Sequence, residues 1–189
     1  MKKLIALSLI LINLSGCVAA ALVGSAGVGG AILYDKRPIS TMIDDKHITQ
    51  TADNLISEDP KLTGRSNINV ATFNHITLLV GQAQTPDLKK RAYDLVSHVP
   101  GITRLYNQIQ IAGATSAIQT TNDSWLTTKV KTALITKGGL QNAQVKVITE
   151  NNIVYLMGET TPLMSDKIVN IARRVPGVTK VVKVFQYQR

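Results

Sequence analysis

The sequence predicts an α+β fold in which one small unit, ordered αββαβ, is written twice in tandem. In each unit the helices pack on one face of a small three-stranded mixed sheet. Three observations predict this. Val99-Pro100-Gly101-Ile102-Thr103 recurs as Val175-Pro176-Gly177-Val178-Thr179, and Ile76-Thr77-Leu78-Leu79-Val80-Gly81 recurs as Ile153-Val154-Tyr155-Leu156-Met157-Gly158. Apolar residues at helical spacing open both copies: Ile48, Ala52 and Ile56 match Leu126, Val130 and Leu134. The offset between the copies drifts only from 78 to 76 residues over their whole length.

The chain begins with a short positive stretch, Lys2 and Lys3, and an apolar run from Leu4 to Leu14. That run has the length of a secretory signal and is short of the ~20 residues needed to span a bilayer. It ends in Leu14-Ser15-Gly16-Cys17, the only cysteine of the chain. One cysteine excludes an internal disulfide and a cysteine-based zinc site. The stretch resembles the lipobox of bacterial lipoproteins, which implies cleavage before Cys17 and covalent S-diacylglycerol and N-acyl groups on it. No other cofactor is expected. By the resemblance to enterobacterial lipoproteins, in which an Asp after the cysteine implies inner-membrane retention, Val18 implies export to the outer membrane. The alternative is an uncleaved anchor running from Leu4 to Leu33, which the glycines at 24, 27, 29 and 30 disfavour. Residues 1–16 are thus read as signal peptide and 17–44 as lipidated cysteine plus a flexible Gly/Ala-rich tether, spanning roughly 30 Å as a coil.

The first unit is placed at 45–112, the linker at 113–122 and the second unit at 123–189. In the second copy the first helix shows Leu126, Val130, Ala133 and Leu134 on one face, with Asp123 or Ser124 as its cap. Two strands then flank Asn74-His75 or Asn151-Asn152, and Asn tolerates φ > 0, so both pairs read as tight hairpins. A second helix follows, at about Pro86–His98 and Pro162–Arg174, ended by Pro-Gly. The last strand alternates as Leu105, Asn107, Ile109, Ile111 and as Val181, Lys183, Phe185, Tyr187.

That order, with a glycine closing the second strand and Gly-Ile or Gly-Val opening the third, resembles the BON domain. The match covers both units. Two copies behind a lipobox resemble the dual-BON outer-membrane lipoproteins, most closely in Gly16–Ala21, Leu78–Gln82 and Asn122–Lys131. The resemblance implies that the second domain binds anionic phospholipid such as phosphatidylglycerol. It also implies a role in outer-membrane integrity and localisation to the division site.

The charge is uneven. The chain carries 21 basic and 12 acidic side chains, net +9. Residues 43–112 hold seven of each, whereas residues 113–189 hold ten basic and four acidic, net +6. A basic protein first suggests nucleic acid, but export removes that partner. The two units share a fold, so the difference between them marks the second as the contact with something anionic. If Leu126, Val130 and Leu134 face the sheet, then Trp125, Thr128, Lys129 and Thr132 lie outside, with Lys131 flanking them. These five are the candidate phospholipid-binding residues. An indole at headgroup level and cations worth about 1 kcal/mol each suit an anionic surface. The bland alternative has Trp125 packed between the units and Lys129 merely solvated. In the first copy His47, Gln50 and Thr51 stand at equivalent places, and Asp53 adds opposite charge.

No catalytic constellation is found. His47, His75 and His98 lack second ligands at metal spacing, and neither a catalytic metal motif nor a nucleophile elbow nor a phosphate loop occurs. The Gly24–Gly30 string lacks a strand–helix frame, and Glu150 and Glu159 bracket one strand without needing to converge. No metal site and no enzyme activity are expected. A second reading is a protein-interaction adaptor, for which the resemblance implies the outer-membrane assembly machinery or cell-wall amidase regulators as partners. It would act through the neutral first unit or through an edge strand at 181–187.

Overall fold

The computed structural model describes residues 32–33, 37–113, 117–138, 140 and 144–188. The expected signal peptide, Cys17 and most of the tether lie outside the described residues. A short strand, β1 (Ile32–Leu33), comes first. The first unit follows as α1 (Ile39–Ser57), β2 (Ser66–Phe73), β3 (Ile76–Ala83), α2 (Pro86–Ser97), β4 (Arg104–Asn107) and β5 (Gln110–Ile111). The second comprises α3 (Ala117–Thr136), β6 (Gln144–Glu150), β7 (Ile153–Thr160), α4 (Pro162–Ala172) and β8 (Lys180–Tyr187). The αββαβ order is present twice, as predicted.

Local chemistry sets the matching boundaries. Thr85 and Thr161 cap α2 and α4, each accepting at 3.3 Å from the amide three residues on, with a proline in the first helical position. Both hairpins turn on residues with positive φ: Asn74 and His75, Asn151 and Asn152. Gly81 and Gly158 are required by close approach. A Cβ there would lie 2.0 Å from the Asn67 carbonyl oxygen and 1.9 Å from that of Gln144, on the neighbouring strand.

Each unit pairs its first two strands antiparallel and its second and third parallel. The sheets differ in two ways from the expectation. β1 adds to β6, so the second sheet has four strands, β1-β6-β7-β8. In the first sheet the last strand is broken into β4 and β5, because Asn107 accepts the Ile109 amide with its side chain and draws the chain out of the ladder. Ile109 then turns into the core, and Ile111 is left exposed. The expected tether and linker are also shorter than read: β1 and the first turns of α1 fall within 17–44, and α3 begins within 113–122. Asp123 therefore lies inside α3 and does not cap it.

Three apolar clusters hold the molecule together. Ile48, Ala52 and Ile56 of α1 and Leu88, Ala92 and Val96 of α2 cover one face of the first sheet. Leu126, Val130 and Leu134 of α3 with Ile168, Ile171 and Ala172 of α4 do the same for the second. The third cluster joins the units. Phe73, Ile76, Leu78 and Val80 meet Ile148, Tyr155, Met157 and Val184, so the sheets pack face to face with the helix layers on opposite sides.

Polar groups rim this seam. Gln82 Nε2 and Asn69 Nδ2 donate to the two oxygens of Glu150 at 2.7 and 3.0 Å. Asn74 Nδ2 donates to Glu159 at 3.3 Å and to Gln186 at 3.2 Å. Lys146 Nζ donates to the Thr72 carbonyl at 3.2 Å. Arg37, buried, forms an ion pair with Asp45 and stacks 3.9 Å from the centre of the Phe73 ring. The end of the tether is thereby held by both units: by β6 through β1 and by Asp45 through Arg37.

Candidate functional site

The helix layer of the second unit presents the face expected to work. Leu126, Val130 and Leu134 are buried against the sheet, and at about 100° per residue this turns Trp125, Thr128 and Thr132 outward. Trp125 is 65 % exposed. Packing between the units, the bland alternative for this residue, is overturned: the seam is made by the opposite faces of the sheets.

Lys129 is half-buried and reaches along the surface, its Nζ donating to the Pro176 carbonyl at 2.9 Å. It lies beside the Pro-Gly turn that follows α4, so the end of α4 meets the middle of α3. Lys137, just past α3, lines a groove with Thr161 and Leu163 at the start of α4. The two helices are thus antiparallel neighbours on one face. Lys131 is two residues from Lys129, about 200° around the helix, and does not share its flank. Its chain is half-buried, and burial pushes its ammonium below the usual lysine value. Thr128 returns its hydroxyl to the Ser124 carbonyl at 3.2 Å. The five predicted residues therefore separate. Trp125, Thr128, Lys129 and Thr132 form one outward surface, and Lys131 stands at its far margin.

In the first unit the corresponding places hold His47, Gln50 and Thr51, all exposed. His75 turns a ring nitrogen to the Gly101 carbonyl at 3.2 Å, and His98 turns one to that of Asp94 at 2.6 Å. Among the described residues no group of three His, Cys, Asp or Glu is placed to hold a metal ion. Among the same residues no helix is long and apolar enough to cross a membrane.

A pair of carboxylates escaped the sequence reading. Asp45 accepts the amides of Asn74 and His75, both at 2.9 Å, and Asp123 accepts those of Asn151 and Asn152 at 2.8 and 2.9 Å. Each aspartate ties the first helix of its unit to its hairpin turn. The signal was present, since Asp45 and Asp123 lie 78 residues apart, at the repeat offset. Glu150 and Glu159 were also set aside, and both serve the seam.

The BON domain family matches residues 44–113 and 122–189, one match to each unit. The chain belongs to the BON family. Outer membrane lipoprotein DolP of Haemophilus influenzae is 35% identical over 187 residues, covering 99% of this chain and 96% of that protein. A 21 kDa hemolysin of Actinobacillus pleuropneumoniae is 36% identical over 153 residues, 81% of this chain and 79% of that one. These relationships support an outer-membrane lipoprotein built from two BON domains, and neither relative is named for an enzyme activity. A solved structure of CdsD, a structural protein of the type III secretion system of Chlamydia trachomatis, matches with 19% identity and a TM-score of 0.31. It covers 76% of this chain and 63% of that one, and a score so low carries no argument about how the two BON domains are arranged.

Proposed function

We propose that the second BON domain binds anionic phospholipid of the phosphatidylglycerol type at the periplasmic face of the outer membrane. Acyl groups on Cys17 hold the chain to the same membrane. The observation that carries the reading is the outward Trp125 on α3, beside Lys129, in the domain that holds the excess positive charge. The indole sits at headgroup depth, the cations face lipid phosphates, and the threonines supply hydroxyls at the same level. The acyl anchor keeps the headgroup surface at high effective concentration, so a modest intrinsic affinity suffices. The first BON domain, with its helices on the far side of the paired sheets, faces away from that surface. Support of envelope integrity and concentration at the division site follow from this attachment. Vesicle flotation tests the reading: the mature chain carrying Cys17→Ser should bind vesicles containing phosphatidylglycerol and not purely zwitterionic ones.

One observation favours a second reading, a protein adaptor for outer-membrane assembly or amidase regulation. Among the described residues β8 lies at the edge of its sheet, opposite β1, with no strand on its outer side, and so offers a ladder to a partner strand. Crosslinking in cells separates the two. If Trp125→Glu abolishes function while partner crosslinks persist, the lipid reading gains.

A further inference from the structure

The two domains carry the same surface groove with different charge. In the first it runs between α1 and α2, lined among others by Leu55, Asp87, Lys90, Arg91, Asp94 and His98. In the second, a groove of about 700 Å³ is lined by Lys137, Leu163, Met164, Lys167, Ile171 and Arg174. The repeat sets Asp87 against Leu163, Arg91 against Lys167 and His98 against Arg174. It also sets Asp59, just past α1, against Lys137, just past α3.

In the first domain the cations are paired. Arg91 Nε donates to both Asp59 oxygens at 2.8 Å, and Lys90 Nζ donates to Asp94 at 2.5 Å. In the second, Lys137 replaces the aspartate and faces the same groove as Lys167 and Arg174. Among the described residues none of these three has a carboxylate partner within 4.0 Å. Asp166, the acid of this groove, is turned to Lys183 at 3.6 Å. An ion pair has been exchanged for like charges around one concavity, an arrangement that repels itself unless an anion sits among them. The apolar lining differs from the first copy at one position, Met164 and Ile171 matching Leu88 and Leu95. Leu163 stands 84 % exposed where the first domain has an aspartate, with Met164 and Ile171 beside it.

We propose that this groove is a second lipid contact, seating a phospholipid phosphate among Lys137, Lys167 and Arg174 with the upper acyl chain against Leu163 and Met164. The inference rests on the lipid reading above and extends the membrane face from α3 to α4. Because α3 and α4 are antiparallel, Trp125 and the Lys137–Leu163 end of this groove lie toward opposite ends of one helix layer. The domain then lies on the bilayer along both helices instead of touching it at Trp125 alone. A lipid is favoured over a soluble anion because the cations and the exposed leucine line the same concavity.

The test compares the mature Cys17→Ser chain with variants on vesicles of phosphatidylcholine, with or without about one quarter phosphatidylglycerol. Lys137→Gln/Lys167→Gln should lose roughly thirty-fold in binding, as two surface cations predict. Lys137→Asp should lose about as much while keeping or raising the melting temperature, since it rebuilds the ion pair of the first domain. Lys90→Gln, in the first domain's groove, should bind as the parent does. If the lysine variants bind like the parent while Trp125→Glu does not, the groove proposal is overturned and the lipid reading stands. If the parent binds both vesicles equally, both are overturned. If inorganic phosphate raises the melting temperature only when both lysines are present, yet vesicle binding ignores them, the site takes a soluble anion and the lipid assignment is wrong.

Discussion

Gln82 of the first BON domain donates to Glu150 of the second at 2.7 Å, and Asn69 donates to the other oxygen of the same carboxylate. Gln82 is 1% exposed, so its amide has no water to fall back on. Glu150→Ala would remove the acceptor shared by the buried Gln82 amide and the half-buried Asn69 amide and should destabilise the chain by about 2 kcal/mol. Because the seam joins the domains, a thermal melt of the parent should show one transition. The variant should melt lower or resolve into two steps, and an unchanged melt would mean the seam does not hold.

Lys146 lies on the same seam, between β1 and Thr72, and burial pulls its ammonium down to about 8. Its value in the unfolded chain is 10.5. A depressed lysine favours the folded state above the unfolded value and loses that contribution as pH falls through the folded one. Stability from this group should therefore rise between pH 7 and pH 10. Burial pushes Glu150 the other way, above 4.5, so its contribution falls as pH rises through the mildly acid range. Melting temperatures of the parent and Lys146→Met at pH 7 and 9 isolate the lysine. The parent should gain more stability than the variant on going to pH 9, and equal gains would remove Lys146 as the cause.

Asp45 and Asp123 hold the two hairpins by paired amides. Both are at most 5 % exposed. Asp123→Ala should cost about 2–3 kcal/mol, since it leaves two amides of a strained turn without acceptors. Asp45→Ala should cost more, because it also takes the paired carboxylate from the buried Arg37 guanidinium. Urea unfolding of both variants checks the order, and a milder effect at Asp45 would contradict the account of Arg37.

Gly81 and Gly158 admit the neighbouring strand at a distance no side chain permits. Gly81→Ala or Gly158→Ala should each cost on the order of 3 kcal/mol or block folding. Yield and circular dichroism of the purified variants would show it, and native-like melts would mean the strands can shift.

The repeat made the fold legible. Helix faces, hairpin turns and Pro-Gly stops follow from local periodicity and backbone preference, and they occur twice at one offset. What stayed hidden were contacts between units. Nothing local says that the second face of each sheet is covered, because Ile148, Tyr155 and Met157 suit any half-buried strand. β1 is two residues paired with a strand more than a hundred positions away, and Arg37 finds its partner only once α1 has turned. Of the site, Trp125 and the outward threonines followed from helical spacing. The separation of Lys131 from Lys129 also follows from that spacing, whereas the hold of Pro176 on Lys129 needed the antiparallel packing of α3 and α4.

The central claim is that the α3 face of the second domain, led by Trp125, recognises anionic lipid. Flotation of the mature Cys17→Ser chain and its Trp125→Glu variant with zwitterionic and phosphatidylglycerol-containing vesicles tests it most directly. The account predicts binding of the parent to the anionic vesicles alone, and at least ten-fold weaker binding of the variant, about 1.4 kcal/mol. Equal flotation with both vesicle types, or a variant that floats as well as the parent, would contradict it.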